Sequence, residues 1–166
     1  MKNRLASLRR APRSWAALAL LAATFPALAG ESGIAAARAT YFAGAQQFIA
    51  QPQLAGTHGQ VWEARGDGRR LGWLIMDAVI GKHEPIDFAL ALDAQARVLG
   101  LEILEYRESY GYEVRDPGWR AQFRGLDAQH PPEFGESVDG ISGATLSSRH
   151  LSEAVHAWLQ RMQALA

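Results

Sequence analysis

Between Val61 and Glu105 the apolar residues fall in short runs separated by turn signals, and that pattern limits the fold more than any other stretch of the chain. Val61 to Arg65 reads as a short strand, and Gly66-Asp67-Gly68 as a hairpin turn signal. Leu71 to Ile80 is the return strand, apolar on both faces and therefore central. Gly81 to Pro85 is a polar break. Ile86, Phe88, Leu90 and Leu92 then alternate with Asp87, Ala89 and Ala91, the period of a strand. Asp93 to Arg97 turns the chain, and Leu99, Leu101 and Ile103 continue the alternation. Strands joined so briefly run antiparallel, so the middle of the chain is expected to be a meander of about four strands.

Helical patterns flank this meander. Glu31 to Gln47 is alanine-rich and reads as a helix, with Ile34, Ala37, Tyr41 and Ala45 along one side. Gln51 to Gln60 contains Pro52, Gly56 and Gly59 and reads as a loop. Asp116-Pro117 is an N-cap and first-turn pair, and Trp119 to Phe123 fills one short helix. Leu126 to Val138 reads as irregular. A last helix runs from about Leu146 to Ala164, with Leu151, Ala154, Val155, Trp158, Leu159 and Met162 as its apolar stripe. The expectation is an α+β domain: an antiparallel β-meander with helices packed against it, on one face of the sheet.

The start of the chain has a different texture. Met1 to Arg13 carries Lys2, Arg4, Arg9, Arg10 and Arg13 and no acid, Trp15 to Phe25 is apolar except for Thr24, and Ala27-Leu28-Ala29 follows Pro26. These are the three parts of a secretory signal peptide, which would place residues 1–29 in a leader and 30–166 in a single exported, periplasmic domain. An uncleaved membrane anchor is the other reading, although the apolar stretch is shorter than the roughly 20 residues of a spanning helix. Five of the 17 basic residues and none of the 17 acidic ones lie in this leader, so the rest has 12 basic and 17 acidic residues, net about −5. That balance favours no nucleic-acid partner. Cysteine is absent, which excludes disulfides, thiolate-held iron–sulfur clusters and a C-x-x-C-H haem attachment. His83, His130, His150 and His156 are scattered, so no metal site is expected.

The stretch richest in chemistry is Asp139-Gly140-Ile141-Ser142-Gly143-Ala144-Thr145-Leu146-Ser147-Ser148. Its small residues permit close backbone approach, and it feeds into the N-terminus of the last helix, where free amides and the helix dipole favour an anion such as a phosphate. From spacing alone, Thr145 or Ser147 is also readable as an ordinary N-cap. A nucleophile elbow G-x-S-x-G is nearly matched by Gly140 to Ala144, but it ends in Ala, only His150 and His156 follow it with Glu153 the sole later acid, and the chain lacks the length of a hydrolase sheet.

Asp139, Ser142, Gly143, Ala144 and Thr145 together resemble the flavinylation signal D-x-x-[ST]-G-A-[ST] of the FMN-binding domain family. That family includes the C subunit of sodium-pumping NADH:quinone reductase and the G subunit of the Rnf electron-transfer complex. The resemblance implies that a flavin transferase attaches FMN covalently, as a phosphoester, to Thr145, and that Asp139 is part of what the transferase recognises. It extends to Tyr41-Phe42-Ala43-Gly44-Ala45, to Ile86 to Glu105, and to Asp116-Pro117-x-Trp119-x-x-Gln122-Phe123. Glu108-Ser109-Tyr110-Gly111-Tyr112-Glu113 stands where relatives have a segment like E-T-P-G-L-G, departing from it at Ser109-Tyr110 and Tyr112.

The implied cofactor site therefore comprises Thr145, Asp139, Ser142, Gly143, Ala144 and Leu146 with Glu108, Tyr110, Gly111 and Tyr112, the two tyrosines offering flat surfaces to a flavin ring. The implied function is electron transfer in company with a redox partner protein or membrane electron-transfer complex. A flavin-dependent reductase of a small molecule or metal chelate is the rival in another class, and a non-redox binding module in which Thr145 merely caps a helix is a third.

Overall fold

The computed structural model describes residues 30–55 and 59–166. Five strands form one antiparallel sheet in the order β1-β2-β3-β4-β5: β1 Gln47–Ala50, β2 Gln60–Gly66, β3 Arg69–Ile80, β4 Pro85–Asp93 and β5 Val98–Tyr106. Among the described residues three α-helices accompany it: α1 Gly30–Tyr41, α2 Pro117–Ala121 and α3 Thr145–Gln163. A 3-10 turn at Tyr112–Arg115 precedes α2. The expected α+β meander is the observed one, with an additional edge strand.

That strand is β1. The alanine-rich pattern predicted helix to Gln47, but α1 stops at Tyr41. The chain turns through an Ala45 amide to Phe42 carbonyl bond of 2.8 Å, and Gln47–Ala50 then pairs with β2, Phe48 opposite Ala64. Four residues with only Phe48 partly buried carry too little alternation to be seen in the sequence. The Arg38 guanidinium lies over the Phe48 and Trp62 rings, at 4.6 and 5.1 Å, and ties α1 to the new strand.

The helices cover both faces of the sheet, not one. On the first face Ile86, Phe88, Leu90 and Leu92 of β4 are buried with Leu151, Val155, Leu159 and Met162 of α3. Side chains of this size contribute roughly 1.5–3 kcal/mol each when fully buried, so this is the main core. On the second face Ala64, Leu74, Ala89 and Ala91 lie beneath Ile34 and Ala37 of α1. Here small residues allow close approach: a Cβ on Gly33 would fall 2.6 Å from Leu104 Cδ2. Alanines supply little apolar area, which is why this buried face does not announce itself in the strand pattern.

Register then decides where a site can lie. Ile80 pairs with Pro85 and Ile86 with Tyr106, so the β3–β4 turn and the exit of β5 share one end of the sheet. Helix α3 runs along β3 in the opposite sense. Its His150 Nδ1 lies 2.6 Å from the Ile80 carbonyl, Trp158 Nε1 donates to Asp77 Oδ2 at 2.8 Å, and Arg70 Nη1 donates to the Leu165 carbonyl at 2.7 Å. The start of α3 therefore arrives at the same end of the sheet as the β3–β4 turn and the β5 exit.

Candidate functional site

Three segments meet at this end: the turn 81–84, the segment 106–112 and the loop 139–148. Tyr106, at the end of β5, is buried and its hydroxyl donates to the Tyr110 carbonyl at 2.5 Å, fixing the curl of the segment. The same hydroxyl lies 3.4 Å from Ser147 Oγ in α3, and burial pushes its phenol up from the ordinary tyrosine range. Gly111 sits at φ +87°, in the left-handed region that favours glycine. A Cβ there would fall 2.2 Å from the Ala144 Cβ and 2.7 Å from the Tyr106 hydroxyl. The contact constrains both partners: the segment needs glycine at 111, and the loop needs a small residue at 144.

Glu108 is buried, and its Oε1 accepts from three backbone amides of the β3–β4 turn: Lys82, His83 at 2.5 Å and Glu84 at 3.0 Å. The amides of His83 and Glu84, with that of Lys82, hold its carboxyl below the usual carboxylate range. Gly81 completes the packing, since a Cβ on it would lie 2.7 Å from Glu108 Oε1 and 3.0 Å from Ser147 Oγ.

The loop is anchored at its start by α2. Trp119 Nε1 donates to the Asp139 carbonyl at 2.8 Å, and the Asp139 amide donates to Gln122 Oε1 at 2.9 Å. Trp119 is in turn set edge-on against Phe123, with ring centroids 5.2 Å apart. The Asp139 residue itself is exposed. Further on, the Ala144 amide closes a turn on the Ile141 carbonyl at 3.0 Å, with Gly143 at φ +82° inside it. Buried Ser148 fastens the far side, its Oγ donating to the carbonyls of Ala144 and Thr145 at 3.0 and 3.2 Å.

Ala144 occupies the N-cap position of α3, and no side chain caps the helix. The reading of Thr145 or Ser147 as an ordinary N-cap is therefore not what the structure adopts: Thr145 is the first helical residue, and it is exposed. The first amides of a helix have no intrahelical acceptor, and here no side chain takes that place.

A cavity of about 410 Å³ opens between the segments, lined by Lys82, His83, Glu108, Ser109 and Tyr110 on one side and by residues 143–147 on the other. That volume lies in the range of small-molecule and cofactor sites, roughly 300–1,000 Å³. Of the residues singled out in the sequence, Glu108, Tyr110, Gly143, Ala144, Thr145 and Leu146 line it. Asp139, Ser142, Gly111 and Tyr112 are not among its lining residues. Gly111 stands behind the wall against Ala144, and Tyr112 packs edge-on against Tyr106 with centroids 5.5 Å apart. Sequence reasoning missed the turn, with Lys82 and His83, and also Tyr106 and Ser147. The antiparallel order of the strands held the signal, because it brings Gly81 to Pro85 beside the exit of β5.

The donor set suits a phosphate-bearing aromatic group. Uncapped amides at the start of α3 favour an anion, Lys82 adds a positive charge, the small residues Gly143 and Ala144 leave room, and Tyr110 offers a flat ring. No group of three or more metal-ligating side chains occurs among the described residues.

Comparison with known proteins agrees. Over 107 residues the chain is 28% identical to the G subunit of the ion-translocating oxidoreductase complex of Stutzerimonas stutzeri, covering 58% of this chain and 47% of that protein, so it spans about half that relative's length. The fold is similar to that of NqrC from Shewanella oneidensis, with a TM-score of 0.51 and 19% identity over 72% of this chain and 67% of the other. Residues 81–160 match the family described as FMN-binding domain, a span that opens on Gly81 of the β3–β4 turn and contains every residue lining the cavity.

Proposed function

We propose that this chain is an exported electron-transfer flavoprotein that carries one FMN as a phosphoester on Thr145. The carrying observation is the position of Thr145: an exposed hydroxyl residue, first in α3, at the rim of a cofactor-sized cavity, behind an uncapped turn of small residues. FMN, when bound, supplies reversible uptake and release of electrons. The chain's residues do the holding. Uncapped amides at the start of α3 favour the phosphate, and Gly143 and Ala144 let it approach the backbone. Tyr110 and Leu146 offer apolar surface to the ring. Asp139, fixed through its backbone and free at its carboxylate end, presents a negative group for a flavin transferase to recognise.

A tether suits a cofactor used outside the cytoplasm, where a dissociated flavin is not regained. The leader that supports export, residues 1–29, lies outside the described residues. Its removal after Ala29 would give a protein whose N-terminal sequence begins at Gly30, whereas a start at Met1 in membrane fractions would support the anchor reading. Among the described residues no helix is long and apolar enough to cross a membrane. A redox partner protein or membrane electron-transfer complex is the proposed destination of the electrons, supported by the relative named as a complex subunit.

Intact mass after co-expression with and without a flavin transferase tests the proposal. The wild type gains the mass of one FMN less one water only with the transferase, and the peptide containing Thr145 carries it. Thr145→Ala gains nothing, and Thr145→Ser, which keeps the hydroxyl, is labelled in part. A labelled Thr145→Ala protein overturns the assignment.

A further inference from the structure

The β3–β4 turn is the part of the cavity that the sequence did not announce, and it is built with unusual care. Three successive amides converging on one point form a nest of the kind that binds anions. Here the chain fills that nest with its own carboxylate, Oε1 of Glu108, so the turn's backbone is closed to a phosphate. Gly81 has no room for a side chain between Glu108 and Ser147, so the turn is wedged as well as bonded. What the turn offers the cavity is therefore its side chains. Lys82 is the one lysine or arginine among the lining residues, it is exposed, and no ion pair or hydrogen bond engages its ammonium within the described residues.

We propose that Lys82 is the cation this site sets against the bound flavin, and that Glu108 is the positioning residue that keeps it there. The inference rests on the proposed flavin site. Its physical core is simple: taking up electrons makes the cofactor more negative, and a cation carried on the cavity wall favours that state. Lys82 lines the same cavity of about 410 Å³, and charges closer than about one Debye length, roughly 8 Å at physiological salt, are incompletely screened. Glu108 bears a charge of the opposite sign, but three amides already stabilise it. Its task is to hold the turn, not to touch the cofactor.

The test uses the full chain co-expressed with a flavin transferase, with each variant's flavin mass recorded and the midpoint potential of the attached flavin measured by spectroelectrochemistry. Lys82→Gln lowers the midpoint, Lys82→Glu lowers it further, and Lys82→Arg leaves it close to wild type. Equal midpoints across the series overturn the assignment of Lys82. Lys82 is exposed, so these variants fold whatever its role. The positioning role is read from a cycle: in a Glu108→Ala background the Lys82→Gln shift shrinks, and in a Glu108→Gln background, which keeps an oxygen acceptor for the amides, it returns. An undiminished shift in Glu108→Ala overturns that role. Wild-type protein that gains no flavin mass fails at the earlier step and overturns the flavin reading itself, a result distinct from a loaded protein with an indifferent Lys82.

Discussion

The two ends of the sheet are finished in different ways. At the end away from the cavity the turns are closed first by their own neighbours, with side chains from Gln46 and Arg97 adding longer ties to Asp67, the Gly125 carbonyl and Asp127. Asp67 and Gly68 take φ of 50° and 74° and join β2 to β3 in two residues. Asp93 Oδ1 accepts from the Gln95 and Arg97 amides just ahead of it, both at 2.9 Å. At the cavity end the turns are closed by strangers. Glu108 reaches back 24 to 26 residues to the 82–84 amides, Trp119 and Gln122 reach forward 20 and 17 residues to Asp139, and Gly111 rests against Ala144. Local closure makes a turn that tolerates change; remote closure makes a site whose walls move together.

Glycine replacement draws the sharpest line between the two ends. Gly68 and Gly111 both have positive φ, so alanine at either costs about 1–2 kcal/mol in backbone strain. A Cβ on Gly68 meets nothing within 4 Å, whereas one on Gly111 strikes Ala144 and the Tyr106 hydroxyl. Overpacking adds about 1–3 kcal/mol, so Gly111→Ala is expected to lose about 2–5 kcal/mol and Gly68→Ala about 1–2. Urea midpoints at unchanged slope measure both, and equal losses would break the comparison.

Acid separates the ends next. Glu108 and, at the far end, Asp127 both have carboxyls held below their ordinary range by backbone amides, His83 foremost for Glu108 and His130 foremost for Asp127. A carboxyl depressed in the folded state adds stability above its unfolded value, roughly 4 for either residue, and loses it as pH falls through the folded value. The sign is the same for both, but the consequence is not. Asp127 Oδ1 bonds the amides of Gln129 and His130 in its own loop and its Oδ2 pairs with the exposed Arg97 at 3.1 Å, so protonation loosens that loop and its exposed tie to the β4–β5 turn. Protonating Glu108 loosens a turn on another strand. Protection of the 82–84 amides against hydrogen exchange, taken relative to their intrinsic rates at each pH, is expected to fall on acidification in the wild type, whereas Glu108→Gln flattens that dependence and Asp127→Asn leaves it unchanged.

The same contrast explains what was legible in the sequence. The strand alternation at Ile86 to Leu92, the Gly66-Asp67-Gly68 turn and the stripe of α3 all arise from period or from adjacent residues, and each is found where the pattern put it. The attachment loop was legible because its residues are contiguous. Lys82 and His83 were not, because nothing next to them says that Glu108 will bind their amides. Gly81 looks like any strand-ending glycine until Ser147 is seen beside it. Strand β1 and the second buried face were missed for another reason: four edge residues and a row of alanines give too weak an apolar signal.

Smaller effects test how the remote anchors divide their labour. Trp119→Phe keeps a ring against Phe123 and removes the donor to the Asp139 carbonyl, which typically costs about 0.5–1.5 kcal/mol. Asp139→Ala keeps both backbone bonds and changes an exposed side chain, so stability moves by less than about 0.5 kcal/mol. Flavin loading under limiting transferase is expected to reverse that order, with Asp139→Ala the more impaired. Full loading of Asp139→Ala at the wild-type rate would remove the carboxylate from the recognition signal.

The two tyrosines give the finest comparison, because they are two residues apart and face different tasks. Tyr110 is 81% exposed and lines the cavity, while Tyr112 is 56% exposed and leans on Tyr106. An aromatic pair is worth about 0.5–1.5 kcal/mol beyond its buried area, so Tyr112→Ala is expected to lower stability by about that amount. Tyr110 has no such ring partner among the described residues, and its replacement by Ala is expected to change stability by less than about 0.5 kcal/mol. With flavin attached the ranking should invert. Tyr110→Ala removes the flat surface beside the cofactor and is expected to raise flavin fluorescence, since a stacked phenol quenches it, while Tyr112→Ala leaves the emission near wild type. Emission that responds to Tyr112 and ignores Tyr110 would place the ring on the outer side of the segment, against the Tyr106–Tyr112 pair, and would move the pocket away from the cavity to which Lys82 belongs.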